Sequence, residues 1–147
     1  MALETAAAVH DRILIVDDEP VVTDVLGTLL RKEGHDVLVA QDAATGRGLF
    51  ESDGPFDAVL VDVMLPDANG LDVLRWIRDR DPDTAVLMIT AFGTVESAVT
   101  AMKLGAFHYL TKPFKNEEVR LLVAQAVRTT RLRTENKDLK RELEQRY

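Results

Sequence analysis

At 147 residues the chain is long enough for one self-supporting domain and a little more, and its net charge is −7. It has no cysteine, which excludes disulfides and thiolate metal sites and fits a reducing cytosol, and no apolar run approaches the roughly 18 residues of a membrane span. Residues 128–147 carry seven Lys or Arg against four Asp or Glu, so residues 1–127 hold a net −10, a body that repels a phosphate backbone; direct nucleic-acid binding by this chain is not expected.

Residues 1–10 include Glu4 and no basic stretch, so they do not read as a secretory signal and are expected to form a disordered tail. The first apolar run, 13–16, ends in Asp17-Asp18-Glu19, and Pro20 follows where a helix accepts proline. The helix beginning there carries Val22, Val25, Leu26, Leu29 and Leu30 at helical spacing and stops at Gly34. A second strand is predicted over 37–40, then a weaker helix from Asp42 as N-cap to about Ser52, with Gly46 and Gly48 lowering its propensity. The run 58–61 reads as a strand buried on both faces, and it delivers Asp62 to a loop rich in Pro, Asp, Asn and Gly. A helix over 70–80 buries Leu71, Leu74 and Ile77, carries Trp76, and is broken by Asp81-Pro82. The fourth strand, 85–89, ends in Thr90-Ala91. The next helix, 94–104, closes at Gly105, and its thin stripe of Val95, Ala98 and Met102 predicts loose attachment. A fifth strand, 106–110, leads to Thr111-Lys112-Pro113. The last helix starts near Asn116 and turns Val119, Leu122, Val123, Ala126 and Val127 to the sheet.

Five strands alternating with five helices predict an α/β fold, a doubly wound five-stranded parallel sheet with helices on both faces and an extended C-terminal helix. Parallel strands send all their C-terminal ends to one rim, where ligands bind in such sheets. Asp17, Asp18, Asp62, Thr90 and Lys112 therefore meet there. Two unit charges ~4 Å apart repel by about 4 kcal/mol at an effective dielectric of ~20, so the acids call for a cation. Mg2+ suits them, because it keeps several waters and uses few protein carboxylates beside phosphate oxygens. A carboxylate ringed by a metal, a lysine and a hydroxyl can stabilise a transferring phosphoryl group. His10, His35 and His108 lack ligand spacing and read as surface or packing residues.

Asp17-Asp18, Asp62 with Pro66 four and Gly70 eight positions later, Thr90-Ala91, and Tyr109 ahead of Lys112-Pro113 together resemble the response-regulator receiver domain of two-component signalling, over residues 11–128. The resemblance implies a flavodoxin-like strand order 2-1-3-4-5 and a cytoplasmic switch rather than an enzyme. It implies that Asp62 is the phosphoacceptor, charged from a phosphohistidine on a sensor histidine kinase. Asp18, Asp62 and the Met64 backbone carbonyl would hold Mg2+, with Asp17 acting mostly through water. Thr90 and Lys112 would bind the phosphoryl oxygens, Lys112-Pro113 would be a cis peptide, and Tyr109 would move inward as Thr90 closes. The signal would leave through the fourth helix, fifth strand and fifth helix. Met64 and Phe92 stand two residues beyond Asp62 and Thr90. They either pack their loops or limit attack of water on the acyl phosphate.

Between Asn116 and Arg146 there is neither Gly nor Pro, so the last helix can run ~45 Å, past the ~30 Å of a small domain. Leu132, Asn136, Leu139 and Leu143 fall at d, a, d and a of a heptad, with Glu135 at g and Lys140 at e. Residues 129–147 are thus expected to be a helical dimerisation linker, or else a solvated charged helix, since Arg128 and Arg133 would meet as like charges. Residues 134–147 also resemble the linker that joins receivers to the AAA+ domain in NtrC-like sigma-54 activators. By that resemblance AAA+ and DNA-binding domains would follow in a longer parent.

Two other classes compete. A haloacid-dehalogenase-type phosphatase would need a second acid two residues after its nucleophile, where Met64 stands. A coiled-coil adaptor of receiver shape would leave its acids unused.

Overall fold

The structure is a computed structural model and describes residues 11–146. The predicted tail 1–10, with His10, and Tyr147 lie outside them. Five strands, β1 (Arg12–Val16), β2 (Asp36–Ala40), β3 (Ala58–Asp62), β4 (Ala85–Thr90) and β5 (His108–Thr111), alternate with five helices. These are α1 (Pro20–Lys32), α2 (Ala43–Asp53), α3 (Gly70–Arg80), α4 (Val95–Lys103) and α5 (Asn116–Arg146). All strand pairs are parallel, in the order β2-β1-β3-β4-β5.

Alternation along each strand sorts the core into two layers. Ile13 and Ile15 face a layer built with Leu26 and Leu30 of α1 and Val119, Val123 and Ala126 of α5. Leu14 and Val16 face the opposite layer, with Phe50 of α2, Val73, Leu74 and Ile77 of α3, and Ala101 of α4. Because β1, β3 and β4 are covered on both sides, their sequences are continuous apolar runs.

Local signals set most boundaries. Gly34 ends α1 at φ +92°, a left-handed position that glycine takes without strain. Asp42 caps α2 by accepting from Thr45 N, and Asn69 caps α3 by accepting from Leu71 N. Gly46 has a packing reason: a Cβ there would stand 2.9 Å from Val16 Cγ2, so only glycine lets α2 approach β1 this closely. Lys112-Pro113 is cis, and so is Gly54-Pro55, which had no signal in the sequence.

Several details differ from the sequence reading. On α4 the buried residue is Ala101, whereas of the predicted stripe Val95 and Met102 are 81% and 49% exposed and Ala98 is half-buried. Val25 likewise lies outside the buried face of α1, which consists of Thr23, Leu26, Gly27 and Leu30. Leu71 is half-buried at the edge of α3, where Val73 takes a core position. β5 starts at His108 rather than Ala106, since Ala106 and Phe107 turn the chain out of α4, with Phe107 N donating to Val86 O.

α5 is one unbroken helix. Its packing onto the domain continues past residue 128: Thr130 is buried, its Oγ1 accepts from Ala85 N at 2.9 Å and donates to Ala126 O, and Arg131 pairs with Asp11 and Asp57. From Leu132 to Arg146 every residue is exposed.

Candidate phosphoacceptor site

The parallel register delivers the predicted residues to one rim. Asp62 ends β3 opposite Ile89, and Thr90 follows Ile89 directly. Thr90 pairs with Thr111, and its carbonyl accepts from Lys112 N at 2.8 Å. At the end of β1, Asp17 N donates to Ala40 O, which places the Asp17 side chain beside the ends of β2 and β3.

The Lys112 ammonium is the hub. Its Nζ lies 2.9 Å from Asp17 Oδ2, 2.9 Å from Asp62 Oδ2 and 2.7 Å from Glu19 Oε1. Asp17 is fully buried and Asp62 nearly so, while Glu19 is half-exposed. Asp62 Oδ1 accepts from Met64 N, and Asp17 Oδ1 accepts from Glu19 N. Burial raises the Asp17 carboxyl, only partly offset by the Glu19 backbone and Lys112 hydrogen bonds. Burial works to lower Lys112, but its bonds to Glu19, Asp17 and Asp62 prevail and hold the ammonium above the ordinary lysine range.

Three carboxylates, Asp17, Glu19 and Asp62, thus meet one ammonium, and Asp18 stands beside Asp17 and Asp62, so four acids share a single lysine. Oxygens of Asp17, Asp18 and Asp62 all lie within 4.8 Å of one another. Like charges at that separation repel by about 3.5 kcal/mol per pair at an effective dielectric of ~20. Asp17 Oδ2 is buried and meets the ammonium at 2.9 Å. An all-oxygen donor set with residual negative charge fits a hard divalent cation such as Mg2+.

The remaining predicted residues surround this cluster. Thr90 is buried, and its Oγ1 accepts from Phe92 N at 3.1 Å. Tyr109 is half-buried, with its hydroxyl 2.6 Å from Ser97 Oγ on α4. Met64 and Phe92 are 58% and 72% exposed, so neither packs its loop. Gly70 has a steric role: a Cβ there would sit 2.0 Å from Asp62 O, so any side chain displaces the acceptor strand's end.

Three residues escaped the sequence reading. Glu19 had a signal, as third in an acidic run at a strand end. Ser97 serves both the α4 capping box with Thr94 and the Tyr109 contact, and only the first could be read locally. Asp67 accepts from Ala43 N and Ala44 N, 24 and 23 residues away in sequence, a tertiary contact with no local trace.

A doubly wound parallel sheet with a lysine-bridged acidic cluster at its C-terminal rim defines a phosphoryl-handling α/β domain. The response regulator receiver domain family matches residues 13–124, and the chain belongs to that family, a signalling switch of two-component systems. The chain is 42% identical over 119 residues to the response regulator protein PilR of Pseudomonas aeruginosa, covering 81% of this chain and 26% of that protein. It is 44% identical over 108 residues to the transcriptional regulatory protein TrcR of Mycobacterium tuberculosis, covering 74% of this chain and 42% of that one. The chain therefore spans less than half the length of these relatives. Among solved structures, the beryllofluoride-activated NtrC4 receiver domain dimer superposes with a TM-score of 0.77 at 33% identity, covering 81% of this chain and 98% of that one.

Proposed function

We propose that Asp62 is the phosphoacceptor and takes its phosphoryl group from a phosphohistidine on a cytoplasmic sensor kinase. As the P–O bond to Asp62 forms, the P–N bond to the donor imidazole breaks. The observation that carries this reading is the Lys112 ammonium, held 2.9 Å from both Asp17 and Asp62 on the rim that also bears Thr90. Asp18, Asp62 and the Met64 carbonyl would hold Mg2+, with Asp17 acting mostly through water. When bound, the ion would neutralise the carboxylates and the phosphoryl oxygens.

Phosphorylation adds nearly two negative charges and three strong acceptors at Asp62. Lys112 can exchange Glu19 for a phosphoryl oxygen, and Thr90 can turn its hydroxyl from the Phe92 turn to the same group. That differential contact is what shifts the population of states. Tyr109 is joined to α4 through Ser97, and α4 buries only Ala101, so α4, β5 and α5 form the output face.

Residues 129–147 serve as a dimerisation linker. Leu132, Leu139 and Leu143 are each more than half exposed along one heptad stripe, and the similar NtrC4 receiver is a dimer. In a longer parent the linker leads to AAA+ and DNA-binding domains of a sigma-54 activator. The test is labelling by radioactive acetyl phosphate with Mg2+. One phosphoryl group per chain is expected in the wild type and none in Asp62→Asn; an unlabelled wild type overturns the reading.

A further inference from the structure

Asp67 lies on the solvent side of the acceptor loop, five residues beyond Asp62, where side chains ordinarily carry only solubility. Its carboxylate is fully engaged instead. Oδ1 accepts from Ala43 N at 2.8 Å and Oδ2 from Ala44 N at 3.0 Å, so both oxygens grip the first turn of α2. These two bonds lower the Asp67 carboxyl below the usual range. α2 already has its own cap, Asp42 to Thr45 N, so the helix does not depend on Asp67 to satisfy its first turn alone.

What the grip joins is informative. α2 is seated directly on β1: Gly46 leaves no room for a Cβ against Val16, the residue before Asp17, and Asp17 N is bonded to Ala40 O at the end of β2. The N-terminus of α2 is therefore fixed to the strand end that carries Asp17 and Asp18. The loop that Asp67 occupies carries Met64, whose N–H is bonded to Asp62 Oδ1, and closes through the Met64–Asn69 bridge and the bond from Gly70 N to Val63 O.

We propose that Asp67 is a positioning residue that ties the acceptor loop to α2 and so sets the separation between the β3-loop and β1 halves of the divalent-cation site. The inference rests on the site assignment above. Asp67 touches no ligand of the ion; it acts by limiting how far the Met64 carbonyl can swing from Asp17 and Asp18. Groups that orient metal ligands typically change metal affinity about 10–100-fold when removed, and a brace acting through a loop belongs near the lower end, about tenfold.

The experiment measures Mg2+ binding by isothermal titration calorimetry, and acetyl phosphate labelling as a function of Mg2+, for the wild type, Asp67→Ala and Asp67→Asn. Asp67→Ala is expected to raise both the Kd for Mg2+ and the half-saturating Mg2+ about tenfold while leaving the labelling rate at saturating Mg2+ unchanged. Asp67→Asn keeps one acceptor oxygen and should fall between. A merely structural cap would lower Tm without moving the Mg2+ Kd, and that result overturns the proposal. A drop in the saturating rate with unchanged Mg2+ affinity overturns it as well. A wild type that neither binds Mg2+ nor takes label would instead refute the site assignment itself.

Discussion

Replacing Lys112 with methionine tests the electrostatics of the rim, because it removes the hub charge and keeps the side-chain length. In the wild type the ammonium, itself about 10% exposed, faces Asp17 and Asp62, whose side chains are 0% and 4% exposed. Without it those two carboxylates, with oxygens within 4.8 Å, are left to repel by about 3.5 kcal/mol at an effective dielectric of ~20. Breaking a buried pair usually costs about 3–5 kcal/mol, and movement of the exposed Asp18 and Glu19 into solvent relieves part of that. The expected loss is about 3 kcal/mol in EDTA. With a urea m-value of about 2 kcal/mol/M, the unfolding midpoint should fall by about 1.5 M. Mg2+ at saturating concentration should restore more stability to Lys112→Met than it adds to the wild type, since the ion takes over charge neutralisation. Asp62→Asn should move the opposite way in EDTA, gaining stability as one of four acids is removed. A Lys112→Met midpoint within about 0.3 M of wild type in EDTA, or equal Mg2+ gains in both proteins, would refute the argument.

Thr130→Val keeps shape but leaves the buried Ala85 N–H without an acceptor, which should cost about 2 kcal/mol and roughly 6 °C in Tm by calorimetry. Asp67 is held low by its two backbone bonds, so it stabilises the fold above its unfolded pKa of about 3.9, and that contribution is lost as pH falls through the lower folded value. A carboxyl NMR titration should place its midpoint below that of a model peptide, and Ala43 and Ala44 amide shifts should follow the same curve. Leu139→Asp puts a charge on the exposed heptad stripe, and light scattering with beryllofluoride is expected to show a dimer for the wild type and a monomer for this variant at the same concentration.

Much of this architecture was legible because the physics is local. The runs around Leu14, Leu60 and Leu87 are apolar in consecutive residues, a pattern that strands covered on both faces require, and the cap Asp42 and the stop at Gly34 follow from backbone chemistry alone. The meeting of Asp17, Asp62, Thr90 and Lys112 at one rim followed from parallel topology and needed no side-chain detail. α4 was misread for the converse reason. Hydrophobic spacing says which residues could be buried, whereas which of them are buried depends on how the helix is rotated on the sheet, and here it turns Ala101 inward and Val95 and Met102 outward. The roles of Asp67, Thr130 and the Gly46 contact depend on segments 24, 45 and 30 residues apart, and one-dimensional pattern holds no record of such pairings.

The unbroken course of α5 has a mechanical consequence. Its first turn begins four residues after Lys112, and beyond Thr130 and Arg131 it is tied to the domain once more by Lys137, 3.8 Å from Asp83, so nine further residues project to Arg146. At 1.5 Å per residue that overhang is about 13 Å. A tilt of about 10° at that ion pair would sweep the tip by about 2 Å, enough to bring a leucine seam into or out of register with a facing rod. On the proposed function the helix would act as a lever, one arm beside the phosphoryl group and the other where a neighbour would feel the stroke.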